Sequence, residues 1–283
     1  MLIGNEPLDL GLTLIDSAQC FRWKRTDAGF ACAMAEGPVW LRRTEHGVEA
    51  EGNCDREALR RYLDLDRDYS ALAEEYAHIP AASRAIGRYP GLRVMNQPAW
   101  EALVCFILSA NNNVARIRGL TDALCRSLGQ EWDCGDCALY GFPTPEALAG
   151  CEEQTLRDMK VGYRAPFLIG AARRVAEGFD LDSLHDLPLG EAHRLLTTLP
   201  GVGDKVADCV LLFGCGRADA FPVDVWVERL LRHWFGVSCK SRAEMARQAR
   251  ALLGEHAGLA QQFLFHAARV GGMELGERSG ERD

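Results

Sequence analysis

Leu199-Pro-Gly-Val-Gly-Asp-Lys-Val-Ala-Asp-Cys209 is the segment that most strongly indicates how this chain folds. An apolar helical run ends just before it, because Pro200 cannot continue a helix. Gly201 and Gly203 predict a sharp turn, and a second helical run begins near Val206. Such a turn exposes consecutive N–H groups at a helix N-terminus, which is a geometry that binds phosphate. On spacing alone, an ordinary connection between two helices explains the pattern equally well.

Two charged residues follow this turn at positions suited to chemistry. Lys205 falls in the first turn of the second helix, and Asp224 ends Phe221-Pro-Val-Asp224, nineteen positions later and just before another helical run. Taken singly, Lys205 could be a solvated lysine and Asp224 a helix N-cap. Val227 at the third helical position excludes a capping box, so capping explains the aspartate only in part.

The N-terminal third of the chain is predicted to be an antiparallel sheet. Leucines at every second position from Leu8 to Leu14 have the strand period. Thr26-Asp27-Ala28-Gly29 and His46-Gly47 are typical of hairpin turns between alternating apolar segments. The four hairpin strands are expected at 21–24, 30–34, 39–43 and 48–50.

The remainder is predicted to be helical. Three- and four-residue apolar spacing begins after Asn53 and continues through nearly everything beyond Gln97, with Thr144 placed to cap a helix that starts at Pro145. We therefore expect an α+β protein with an antiparallel β-rich domain at 1–90 and an all-helical domain at 91–283. The boundary is expected near Tyr89-Pro90-Gly91.

Composition limits the cellular setting and the metal chemistry. No signal peptide or membrane-length apolar run is visible, which indicates a cytoplasmic or otherwise intracellular protein whose eleven cysteines are reduced thiols. Cys134 and Cys137 have zinc-like spacing, but no second pair completes four ligands. Only Cys215 and Cys239 lie beyond the helix of Lys205, which excludes a C-terminal four-cysteine iron–sulfur cluster.

The net charge of −8 argues against a nucleic-acid partner for the chain as a whole. Between Leu195 and Arg250, however, eight Lys and Arg face six Asp and Glu. This segment is slightly basic while the rest is acidic, so charge neither supports nor excludes DNA as the partner.

Leu199–Cys209 together with Pro222-Val-Asp-Val225 resembles the signature of helix-hairpin-helix DNA glycosylases. The resemblance implies that Gly201 and Gly203 contact the DNA backbone and that Asp224 assists catalysis. Lysine at position 205 is typical of members that also cleave the DNA strand, with Lys205 as the nucleophile. A monovalent cation at the carbonyls of Thr197, Leu199 and Val202 is possible by the same likeness.

Four further segments resemble 8-oxoguanine DNA glycosylases in particular. Ser109-Ala-Asn-Asn-Asn-Val-Ala-Arg116 resembles the segment whose first asparagine, here Asn111, fills the hole left by a flipped nucleotide. Gly162-Tyr-Arg-Ala165 resembles the segment that supplies a wedge tyrosine, here Tyr163. Arg116 and Arg164 would read the opposite cytosine. Considered alone, an asparagine triplet is often only a loop and Tyr163 a core residue.

The base pocket is implied by the other two segments. Ser17-Ala-Gln-Cys-Phe-Arg-Trp23 resembles a strand that lines it, and Ala260-Gln-Gln-Phe-Leu-Phe265 resembles the last helix. A flipped purine needs an aromatic face and an amide that both donates and accepts. By this likeness the pocket residues are Ala18, Phe21, Cys209, Gln261 and Phe265.

Two positions depart from the animal relatives. Ala18 stands where they have glycine. The implied contact is a backbone carbonyl, which an alanine retains, but the resemblance predicts discrimination against normal guanine less firmly at this position. Trp226 stands where they have a histidine that contacts the 5′ phosphate. Both changes fit a bacterial-type variant.

The resemblance therefore predicts a monomeric, cofactor-free base excision repair enzyme that acts on double-stranded DNA containing 8-oxoguanine opposite cytosine. It would be a bifunctional DNA glycosylase and apurinic/apyrimidinic lyase, associated with the nucleoid. One alternative is a glycosylase for an oxidised pyrimidine or an alkylated purine. The other is a non-catalytic DNA-binding module, which would have no need of Lys205 together with Asp224.

Overall fold

The computed structural model describes residues 1–135 and 138–271 of the chain. An antiparallel sheet of five strands, with the spatial order β1-β5-β4-β3-β2, forms the N-terminal part. Its strands are β1 Leu2–Gly4, β2 Lys24–Thr26, β3 Gly29–Met34, β4 Gly37–Thr44 and β5 Gly47–Gly52. Thr26 pairs with Gly29 and Thr44 with Gly47, which confirms both predicted hairpin turns. The strand expected at 21–24 lies instead at Lys24–Thr26, because Phe21 packs in the helical core.

The predicted strand at Leu8–Leu14 is wrong. Leu12–Asp16 forms a π-helical turn, and the Asp9 carboxylate accepts a hydrogen bond from the Leu12 amide at 2.9 Å. The alternation arises because the segment lies between two apolar cores. Leu8, Leu10 and Leu14 are buried against the sheet, whereas Leu12 packs on the helical core.

Helices occupy most of the remaining chain, with a small two-stranded sheet between them. The first five are α1 Arg56–Tyr62, α2 Tyr69–Glu75, α3 Pro80–Arg88, α4 Ala99–Ser109 and α5 Val114–Leu128. The small sheet pairs β6 Glu131–Asp133 with β7 Ala138–Tyr140, so the part of the chain expected to be all-helical also contains two strands. The others are α6 Pro145–Ala149, α7 Glu153–Asp158, α8 Ala165–Ala176, α9 Leu189–Leu196, α10 Asp204–Gly214, α11 Val225–Phe235, α12 Arg242–Leu253 and α13 Ala257–Gly271. Thr144 caps α6 through the Ala147 amide, as predicted.

The α+β architecture is confirmed, and two large cores hold it together with a small third cluster between β3 and β7. One core lies between the sheet and α1, and the larger one is shared by the later helices. Phe21, α2 and α3 belong to the larger core although they precede the expected boundary. The boundary near residue 90 stays a prediction. Within residues 1–135 and 138–271, no helix has the length and apolar character needed to cross a membrane.

Packing of α4 against α10 matters most for the site. The rings of Phe106 on α4 and Phe213 on α10 stack with centroids 5.3 Å apart. A side chain at Gly214 would lie 2.9 Å from the Ala99 backbone, so the small residue permits this close approach. The C-terminal end of α4 therefore reaches the first turn of α10.

Candidate active site

The hairpin joins α9 to α10, as the sequence predicted. Gly201 has φ of +80°, and a side chain there would lie 2.6 Å from Cβ of Phe167. Only glycine satisfies both the left-handed backbone and this close approach. Gly203 is the N-cap residue of α10, with nothing within 4 Å of its Cβ position. The amides that begin α10 are thus available to an anion.

Lys205 lies one residue inside α10 and is half-buried. Its Nζ donates a hydrogen bond to Oγ of Ser109 at 2.7 Å. The same nitrogen lies 5.0 Å from the centroid of the Phe106 ring. Both contacts come from the end of α4, which holds the amine at the wall of a cavity.

Asp224 is the N-cap of α11 and is half-buried. Its Oδ1 accepts hydrogen bonds from the amides of Trp226 and Val227, both at 2.9 Å. The capping interpretation is therefore correct, and it is compatible with chemistry. Both bonds use Oδ1, so the cap leaves Oδ2 available to a developing positive charge.

A cavity of about 410 Å³ joins these two residues to the implied base pocket. Its lining includes eight residues that the sequence singled out: Ala18, Phe21, Lys205, Cys209, Asp224, Trp226, Gln261 and Phe265. The C-terminal helix α13 thus faces α10 and the N-terminal segment across one space, although these residues are far apart in sequence. A cavity of this size accommodates a flipped purine nucleobase.

Gln261 is 4% exposed, and its Oε1 is buried without a hydrogen-bond partner among the described residues. An unsatisfied buried amide costs free energy, which is accepted where a ligand supplies the missing bond. Phe265 is half-buried at the same wall, not sealed in the core. Cys209 is 2% exposed, and burial raises the pKa of its thiol to about 12, so it presents a neutral sulfur to the cavity.

Ala18 has φ of +60°, a left-handed conformation that costs a non-glycine residue about 1 kcal/mol. This explains why glycine suits the position. Gln262 stabilises this turn, because its side-chain amide donates a hydrogen bond to the Ser17 carbonyl at 2.9 Å.

The other implied DNA contacts lie outside the cavity lining, on an adjoining surface. The Asn111 backbone is left-handed with φ of +52°, and its side chain is exposed. Tyr163 is 51% exposed, so it is not a core residue, and its hydroxyl donates to the Ala110 carbonyl at 3.2 Å. Asn111 and Tyr163 are thereby neighbours, although their roles stay predictions.

The two implied cytosine readers differ in their surroundings. Arg116 is exposed, with Nη2 3.4 Å from the Lys160 carbonyl. Arg164 is 4% exposed, and its guanidinium donates to the carbonyls of Ala110, Asn111 and Val161. Arg164 therefore supports the Asn111 turn in this structure, and a base contact would require it to leave these carbonyls.

Four residues that contribute to the site were not assigned roles from the sequence. Ser109 and Phe106 contact Lys205, Gln262 supports the Ala18 turn, and Arg269 lines the cavity with its guanidinium 5.8 Å from the Phe265 ring. The doubled glutamine at 261–262 was one signal, since both residues line the cavity, but spacing alone does not show which of them supports the Ala18 turn.

The sequence predicted neither a zinc site nor an iron–sulfur cluster, and left open a monovalent cation at the hairpin carbonyls. Residues 1–135 and 138–271 contain no group of three or more His, Cys, Asp and Glu side chains that could hold a metal ion. Cys137, half of the zinc-like pair, lies outside the described residues. In the hairpin, the Leu199 carbonyl accepts from the Val202 amide at 3.2 Å, and a cation there stays a prediction.

Asp208 is a buried titratable group on α10, one turn after Lys205. Burial raises the pKa of this carboxyl to about 7, although Arg250, 3.9 Å away, acts in the opposite direction. The folded protein therefore favours the protonated carboxyl of Asp208. The stability that this preference contributes is fully present below the usual pKa of 3.8 and is lost as pH rises through about 7.

We expect the Asp208→Asn variant to become progressively more stable relative to the native protein as pH rises. The difference in the free energy of unfolding should grow by about 2 kcal/mol between roughly pH 5 and pH 8. His266, whose pKa burial lowers to about 4, titrates in both proteins and cancels in this difference. Urea denaturation at several pH values measures it, and a difference that is constant with pH would contradict the burial argument.

Two family models match adjacent parts of the chain, which together cover residues 1–255. Residues 1–103 match the 8-oxoguanine DNA glycosylase N-terminal domain, and residues 104–255 match the HhH-GPD superfamily of base excision DNA repair proteins. The chain is therefore a base excision DNA repair protein of the helix-hairpin-helix superfamily.

Individual proteins agree with this class. The N-glycosylase/DNA lyase OGG1 of Arabidopsis thaliana is 31% identical over 94% of this chain and 78% of its own length. A probable N-glycosylase/DNA lyase of Methanothermobacter thermautotrophicus is 33% identical over 65% of each chain. The Clostridium acetobutylicum 8-oxoguanine glycosylase/lyase, solved with double-stranded DNA containing cytosine opposite 8-oxoguanine, superimposes with a TM-score of 0.87 at 29% identity, covering 93% of this chain and 92% of that one. The chain therefore belongs to the 8-oxoguanine DNA glycosylase family of the helix-hairpin-helix superfamily, and its enzyme class is DNA N-glycosylase/DNA lyase.

Proposed function

We propose that this protein excises 8-oxoguanine opposite cytosine from duplex DNA and then cleaves the strand through a Schiff base on Lys205. One observation carries the proposal: an amine, a carboxylate and an unsatisfied buried amide line the same cavity. Lys205, Asp224 and Gln261 are the residues that supply them. A non-catalytic DNA-binding module has no use for this combination.

In this mechanism the hairpin amides bind the backbone while the lesion enters the cavity. Gln261 bonds the Watson–Crick edge of the base, Phe265 and Cys209 cover its two faces, and the Ala18 carbonyl accepts from the additional N–H of the oxidised purine. The space that the base leaves in the duplex is filled by Asn111 with Tyr163 as the wedge. Arg116 and Arg164 read the orphaned cytosine.

The chemical step is a displacement at C1′ of the sugar. The lone pair of the free Lys205 amine forms the Nζ–C1′ bond, and the C1′–N9 bonding pair leaves with the base, which takes up a proton. Positive charge on the sugar in the transition state is stabilised by Asp224. The nitrogen then expels the ring oxygen to give the iminium, and loss of a C2′ proton drives departure of the 3′ phosphate.

The proposal is tested with the purified protein on a panel of duplexes that differ in one base pair. We expect release of 8-oxoguanine opposite cytosine to be faster than from the other opposite bases, with strand cleavage on the same duplex. Faster release of an oxidised pyrimidine or an alkylated purine would assign the site to another lesion. Binding without release of any base would identify a non-catalytic module.

Gln261→Leu should separate recognition from folding. We expect single-turnover release of 8-oxoguanine to slow by about 10- to 100-fold, because the base loses the bonds to its Watson–Crick edge. The free energy of unfolding should not fall, since the amide oxygen that is removed has no partner in the protein. Chemical denaturation beside the rate assay measures both. Loss of stability with an unchanged rate would show that Gln261 is only a packing residue.

The cellular setting and assembly follow from the same proposal. A single copy of the chain contains the amine, the carboxylate and the base-binding amide. We therefore propose that the protein acts as a monomer on chromosomal DNA inside the cell.

A further inference from the structure

Ser109, the last residue of α4, accepts a hydrogen bond from Lys205. The Nζ–Oγ distance is 2.7 Å. The serine hydroxyl itself donates to the carbonyl of Phe106, one turn earlier, also at 2.7 Å. Because its single hydrogen is used there, the serine oxygen offers Lys205 only lone pairs.

This arrangement is unsuited to proton transfer. A proton passed from Lys205 to the serine would have to continue to the Phe106 carbonyl, and a backbone carbonyl is not a base of useful strength. Ser109 is therefore a fixed acceptor. Its oxygen sets a direction for Nζ without removing the proton.

The aromatic ring of Phe106 restricts the position of Lys205 Nζ from a second side. The nitrogen lies 5.0 Å from the ring centroid. The ring is itself immobilised, being 4% exposed and packed on Phe213 at 5.3 Å and on Phe21 at 5.9 Å. Two residues three positions apart on α4 thus hold one end of a flexible side chain. A free lysine would sample many rotamers at this place.

We propose that Ser109 is a positioning residue that aims the Lys205 amine at C1′ of the flipped nucleotide. The inference rests on the proposed function, because it concerns the nucleophile of that reaction. Holding a nucleophile in its attack geometry accelerates a reaction without strengthening substrate binding. The iminium keeps one N–H, which the same oxygen can accept, so the bond to Ser109 need not be broken during the reaction.

The test compares three substitutions at one position. We expect Ser109→Ala to reduce single-turnover release of 8-oxoguanine by about tenfold, with the affinity for the same duplex unchanged. Ser109→Thr retains the hydroxyl and should remain close to the native rate. Ser109→Cys, which offers only a weak acceptor, should be slow like the alanine variant. The rates of the three variants should therefore follow the strength of the hydrogen-bond acceptor at position 109 and not the side-chain volume.

Ser183→Ala is the matched control, because the Ser183 hydroxyl also donates to a carbonyl three residues back, that of Asp180 at 3.1 Å, but lies away from the cavity. It should leave the rate unchanged. The proposal is overturned if Ser109→Ala retains the native rate, if threonine is as slow as alanine, or if the loss lies in duplex affinity. An inactive native protein would instead refute the proposed function, so the two failures are distinguishable.

Discussion

Lys205→Gln will lower excision of 8-oxoguanine by about a thousandfold or more and remove strand cleavage at abasic sites. Glutamine keeps an N–H donor for Ser109 and a side chain of similar length, but it has no nucleophilic lone pair at the terminal nitrogen. The loss should therefore fall on the chemical step. Single-turnover assays on an 8-oxoguanine·cytosine duplex and on an abasic duplex measure the two activities.

Lys240→Gln is the control for this experiment. Lys240 is exposed, and its replacement changes the net charge by the same amount. We expect native rates from it, and duplex affinity within about threefold of native for both variants, since a single charge contributes modestly to binding. Substantial strand cleavage by Lys205→Gln would require another nucleophile and would refute the assignment.

Asp224→Asn should reduce the rate of base release by about a hundredfold or more, because the carboxylate no longer stabilises positive charge on the sugar. Stability should be retained, since asparagine caps a helix about as well as aspartate and can accept from the Trp226 and Val227 amides. Asp224→Ala should lose the same activity and in addition about 1 kcal/mol of stability. Rates and urea denaturation of both variants distinguish charge from capping.

Asp68 offers a matched comparison. It caps α2 with the same oxygen type and the same pair of amides, those two and three residues ahead. Asp68→Asn should leave both stability and excision unchanged. If Asp224→Asn behaved like Asp68→Asn, Asp224 would be only a cap.

Local sequence signals predicted the parts of the fold that depend on local physics. The hairpin before Lys205 was predictable because proline and glycine restrict the backbone within a few residues. The β-hairpins were predictable for the same reason. The Leu8–Leu14 segment was not, because its alternation reflects two cores that exist only in the folded protein.

The candidate site was likewise predictable only in part. Resemblance to known glycosylases identified the residues that line the cavity, but not how they are held. The contact between Ser109 and Lys205 spans 96 residues, and no local pattern encodes it. The buried environment of Arg164 likewise depends on the Ala110 and Asn111 carbonyls, which approach it only after folding.

Identifying the trapped amine shows directly whether Lys205 is the nucleophile. The protein is incubated with an 8-oxoguanine·cytosine duplex and borohydride, digested, and the DNA-bearing peptide is located by mass spectrometry. The chain has four lysines, Lys24, Lys160, Lys205 and Lys240, so the sites are readily distinguished. We expect a reduced adduct on Lys205 alone. An adduct on another lysine or on the N-terminal amine, or release of the base with no adduct, would contradict it.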